Sequence, residues 1–155
     1  MTVLILEFIN LFFAGLLAGM EIAVHYGFHP QTVALDEKPQ IVLRQGVART
    51  LRWIVPAFFI PAMLTGIAIT IMDGVAPGLY FRIAALIAIV VWIAVRIIGT
   101  VPINSATIEW DSDAPPKDWR EQITKAERFH IAGTWAAILA FAFFTIAMAV
   151  RLITL

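Results

Sequence analysis

VLILEFINLFFAGLLAGMEIAVHY, Val3 to Tyr26, is the stretch that decides the fold. It stays apolar for longer than the roughly 20 residues of helix that a bilayer core requires. Three further runs of the same kind follow, Trp53–Ile71, Leu79–Ile98 and His130–Ile153. At 61% hydrophobic and 14% charged residues, the composition is far from that of a soluble domain. The four runs occupy most of the 155 residues. They predict one all-α domain over residues 1–155, an integral membrane four-helix up-down-up-down bundle with helical cytoplasmic extensions. Only Met1 and Thr2 precede the first run and no basic segment leads it, so a span is expected there rather than a cleaved leader.

Lysine and arginine set the expected orientation. The connection after the first run carries Lys38, Arg44, Arg49 and Arg52, and that after the third carries Lys117, Arg120, Lys125 and Arg128. The opposite side has only Arg82, at a span edge, and Arg151 near the C-terminus. Positive charge accumulates on cytoplasmic loops, so both termini are expected on the extracytoplasmic side. A formal net charge of zero points away from nucleic acid as a partner. With no cysteine, the chain has no disulfides, thiolate metal sites or thiol chemistry.

The long connections are more than linkers. PQIVLRQGVARTLRW, residues 39–53, has apolar residues at helical spacing and reads as an extension of the second helix, its arginines at headgroup level. In the other, Pro102 is expected to end the third helix, and SDAPP marks a turn. PPKDWREQITKAERF then predicts a polar helix running into the fourth span. The outer turn, MDGVAPG, is short and rich in glycine and proline.

Glu21, His25 and His29 follow one another at intervals of four, which stacks them on one helical face. At about 100° per residue, Asn10, Ala14 and Ala18 share that face, with Gly15 and Gly19 beside it. Polar groups in a span turn inward, because an unpaired charge in hydrocarbon costs several kcal/mol, and small residues let a neighbouring helix approach. The fourth helix has a matching stripe of Glu127, His130, Thr134, Ala137, Phe141 and Thr145. Arg96 of the third helix lies at similar depth. Polar residues of three helices should therefore converge near the cytoplasmic boundary.

Three chemistries suit such a cluster. Glu21 with His25 and Glu127 with His130 supply carboxylates and imidazoles at spacings used by metal sites in helical bundles, with N/O ligands fit for a transition metal. Alternatively, His25 and His130 could hold a haem b. Without any cofactor, a His or Glu of the cluster could take a proton from a bound apolar small molecule while Arg96 or Asn104 stabilises the anion. Plainer readings stand beside these. Glu21 and Arg96 can form a buried pair that sets helix register, Glu127 can pair locally with Lys125 or Arg128, His29 can lie at the interface, and Glu7 can reach the outer headgroups. A non-catalytic subunit or assembly factor of a larger homo- or hetero-oligomeric membrane complex would show the same pattern.

GTVPINSATIEWDSDAPPKDWREQITKAERFHIAGTW, residues 99–135, resembles a region of a family of small four-span bacterial membrane proteins related to anthrone oxygenases. The matching residues are Val101, Pro102 and Asn104 of a Val-Pro-x-Asn motif, then Trp119, Arg128 and His130. FAGLLAGMEIAVHYGFHPQTVAL is similar to the family's Gly-spaced first helix and the Pro-then-Leu loop after it. Glu21 and His25 depart from it, standing where the family has apolar and small residues. The resemblance implies an inner-membrane location and oxygenation of an activated aromatic or quinol-like carbon. Such chemistry needs a base, an anion stabiliser and an apolar pocket. For these the resemblance implies His25 or His130 as base, Arg96 and Asn104 as stabilisers, and Trp92, Trp53 and Phe129 as walls.

Overall fold

The computed structural model describes residues 1–154. Four helices, each long and apolar enough to cross a membrane, make up nearly all of it: α1 (Thr2–Val33), α2 (Glu37–Asp73), α3 (Leu79–Glu109) and α4 (Trp119–Ile153). Among the described residues there is no strand. Each apolar run of the sequence lies inside one helix, and all four helices extend beyond their runs at the end bearing the long connections. The expected extension of the second helix and the polar lead-in to the fourth are both present, beginning at Glu37 and Trp119.

Pro102 does not end its helix. α3 widens into a π-helical turn over Arg96–Thr100 and resumes at Val101, with the proline in the first turn of the new segment. A proline there needs no intrahelical N–H partner, and the wider turn before it accommodates the ring. α1 does the same, with a π turn over Ala23–Phe28 ahead of Pro30. Both widened turns flank Glu21 in space, so the backbone irregularities and the polar cluster coincide.

Alanine governs the middle of the bundle. Ala14, Ala62, Ala85 and Ala140 come one from each helix and pack with Ile89 and Phe144 in one buried cluster. With no aqueous solvent to drive apolar association inside a bilayer, close backbone approach between small residues holds such helices together. Ala18 is buried in the same stripe, as its position predicts. Thr145 departs from the stripe expected on α4: it is exposed and its hydroxyl donates back to Phe141 O at 2.8 Å. Outside the bundle, Phe8, Phe12, Leu64, Ile87, Val90 and Leu139 point away from the core. An apolar girdle of this kind is what lipid covers.

The two ends are closed differently. At the end bearing both termini, Gly78 (φ +90°) lies so near α4 that a Cβ would stand 2.6 Å from Ala147 O, which only glycine tolerates. At the other end, Ile41, Trp119 and Ile123 bind the start of α2 to the start of α4. Gln45 Nε2 donates to Thr107 O and Trp110 O at 3.1 and 2.9 Å, satisfying carbonyls at the C-terminus of α3.

Candidate functional site

Glu21 is fully buried where α1, α3 and α4 meet. Its Oε1 accepts from Arg96 Nη2 and from Trp92 Nε1, the latter at 3.1 Å, and its Oε2 accepts from Thr134 Oγ1 at 3.3 Å. His130 Nε2 lies 3.8 Å from the same Oε2. A carboxylate in a membrane needs this much compensation, because desolvation costs several kcal/mol unless its oxygens are paired.

A second carboxylate sits nearer the end of the long connections. Glu127 accepts on Oε1 from Arg44 Nη1 at 3.4 Å and lies 2.9 Å from His29 Nδ1. Its Oε2 is 3.8 Å from His25 Nδ1. The two centres adjoin through the imidazoles, since the His25 and His130 rings are 5.7 Å apart and His25 and His29 stack at 6.2 Å. Glu127 therefore pairs across the bundle with α1 and α2, not with Lys125 or Arg128, and His29 belongs to the cluster.

Two cavities meet at this point. A crevice of about 460 Å³ runs between α2 and α3, with Leu51, Val55, Pro56, Phe59, Ile93 and Ile97 among its walls and Glu21, Arg96, Asn104 and His130 along its inner side. A smaller chamber of about 70 Å³ lies behind, with His29, Thr32, Arg44 and Glu127 among its walls. Arg96, Thr100, Asn104 and His130 line both and form the partition. Among the described residues, Arg96 Nε, Thr100 Oγ1 and His130 Nε2 are buried without a hydrogen-bond partner. Buried polar groups are nearly always paired, so the partition offers unspent hydrogen-bonding capacity.

The structure thus gathers the expected residues Glu21, Arg96, His25 and His130, and sets Asn104 on the partition. It departs from expectation in their division of labour. His25 lines neither cavity, whereas His130 lines both. Of the expected walls, Trp92 faces the crevice, Trp53 is 73% exposed, and the Phe129 ring is spent packing against Gly99. Among the described residues no three His, Asp or Glu side chains converge as ligands of one ion. Of the four possible ligands Glu21, His25, Glu127 and His130, each carboxylate is engaged by its own arginine.

Sequence reasoning missed a third cluster at the opposite end. Glu7 does not reach for headgroups; it is 4% exposed. Arg151 Nη1 donates to its Oε2 at 2.9 Å and Arg82 Nη1 donates to Asp73 Oδ2 at 2.7 Å. Arg151 Nε lies 3.4 Å from Asp73, and Arg82 Nη1 3.8 Å from Glu7. One charged residue from each helix enters, and the formal charges cancel. That cancellation was the available signal, since lone charges at span depth are too costly to keep.

No family model, curated protein or solved structure matches this chain.

Proposed function

We propose that the protein is an inner-membrane oxygenase acting on an apolar aromatic or quinol-like compound bound in the α2–α3 crevice. The observation that carries this reading is the crevice itself, a largely apolar space of about 460 Å³ with Arg96, Asn104 and His130 on its inner side. That is the size and make-up of a small-molecule site, apolar walls with a few convergent polar groups. In this reading the Lys/Arg-rich end faces the cytoplasm of a bacterial cell and both termini lie outside.

His130 is the base. Its Nε2 is unpaired, borders the crevice and stands 3.8 Å from Glu21, whose charge stabilises the imidazolium once formed. Glu21 itself is a poor base, because Arg96, Trp92 and Thr134 already donate to it. Arg96 and Asn104 face the oxygen of the substrate and hold the enolate that deprotonation leaves. The resulting carbanion is electron-rich enough to react with dioxygen. The ring CH₂ becomes C=O, with one oxygen atom retained there and the other released as water. The resemblance of Val101, Pro102, Asn104 and His130 to the anthrone-oxygenase motif supports the same assignment.

The test is oxygen consumption and quinone formation with an anthrone-type substrate, using protein in detergent. His130→Gln should lower turnover by about 10²–10⁴-fold while the substrate still binds. Asn104→Leu should weaken both. Absence of binding and of oxygen uptake by the unaltered protein would overturn the proposal.

A further inference from the structure

Resting on the reading that the crevice holds a ring compound, we infer that this compound comes sideways out of the bilayer through the seam between α2 and α3. Its ring lies inside, and any apolar chain it carries stays in the lipid.

The crevice has few apolar ways in. An open apolar hollow of about 440 Å³ between α1 and α2 abuts it, but Met20, Val24 and Leu51 line both and stand between them. Beyond Phe59 and Trp92 the seam is sealed, because Ala62, Ala85 and Ile89 are at most 1% exposed where the helices meet. Behind the partition lies only the chamber of about 70 Å³, too small to pass a ring system. At the aqueous end the rim carries Arg52 and Glu109, charged residues that an apolar compound would have to pass. The remaining side is the lip formed by Ile97 and Val101, which are 62% and 50% exposed and face outward from α3. Ile97 directly follows Arg96, so a ring crossing this lip meets the polar partition at once.

Size decides where a chain would lie. A space of about 460 Å³ takes a ring headgroup, but not a ring together with an isoprenoid-length tail. An alkyl or isoprenoid substituent would have to leave across the same lip. Each CH₂ kept in hydrocarbon favours the membrane by about 0.8 kcal/mol, so such a compound is concentrated where the seam opens.

The chain has no cysteine, so Ile97→Cys gives a single attachment point on an exposed lip residue. That variant, labelled with a bulky maleimide in phosphatidylcholine nanodiscs, is compared with unlabelled protein for uptake of two radiolabelled anthrone-type probes. One probe carries a long alkyl chain and the other none. Both should bind unlabelled protein, with the chain-bearing probe at least as tight after correction for lipid partitioning. The Ile97 label should slow association of both by about tenfold or more. The same label at Leu139→Cys, exposed on α4 away from the crevice, should change nothing. If the chain-bearing probe is excluded, or the Ile97 label has no effect, lateral access is wrong while the site stands. If neither probe binds unlabelled protein, the site fails and lateral access fails with it.

Discussion

Trp92 donates its indole N–H to Glu21 Oε1 at 3.1 Å, joining α3 to α1 at the depth where Arg96 reaches the same oxygen. The tryptophan is thereby a hydrogen-bond donor in the core rather than a belt residue at the headgroups. Its ring also packs on Phe59 and closes the deep end of the crevice.

Glu21→Gln should leave Arg96 without its counter-ion in a buried place. Removing one partner of such a pair costs about 3–5 kcal/mol, so the variant should melt well below the parent in detergent. Glu21→Gln combined with Arg96→Gln should recover part of the loss, because neither charge is then stranded. Equal melting of all three proteins would mean that the pair contributes nothing to stability.

The terminal cluster makes a parallel case with no catalytic assignment attached. Arg82 is 1% exposed and bridges Asp73 and Glu7. Arg82→Gln should destabilise by about 3–5 kcal/mol, and an Arg82/Asp73 double-mutant cycle should show coupling of about 0.5–3 kcal/mol. Unfolding in mixed micelles measures both. Additive losses would place the stabilisation elsewhere than in this contact.

The bundle was legible because its signal is length: four apolar runs admit few other folds. The stripe on α1 was legible because helical periodicity aligns Glu21 with His25 whatever else the chain does. Pairing across helices was not. Glu127 could be given Lys125 or Arg128 from its neighbours in sequence, yet Arg44 reaches it from α2, a contact that depends on helix rotation. Glu7 looks like a headgroup residue for the same reason, since its partners stand on two other helices. The π turns were hidden too: Pro30 and Pro102 look like stops until a widened turn ahead of each lets the helix continue.

Orientation has a direct check. A reporter fused after the C-terminus should register on the extracytoplasmic side, because the basic residues crowd the two long connections. A cytoplasmic signal would place Glu127 and His29 at the outer face and reverse the assignment of the site.

Two glycines near Arg96 give opposite expectations. A Cβ at Gly99 would fall on the ring of Phe129, and Gly99 lies in the π turn that also carries Arg96 and Thr100. The ring stands against α3 at this point, so Gly99→Ala must displace either the side chain or the turn. Overpacking of this kind costs about 1–3 kcal/mol, and the shift should reach Arg96 three positions away. At Gly133 the added carbon would sit 3.6 Å from Arg96 Nε and from Trp92 Cδ1, which is ordinary contact. Gly133→Ala should therefore be neutral or stabilise by up to about 0.5–1 kcal/mol, since alanine loses less backbone freedom in a helix. Melting in detergent separates the two, and Gly99→Ala with Phe129→Ala should regain part of what Gly99→Ala loses. If Gly99→Ala melts with the parent, the Phe129 ring is not what holds the π turn in place.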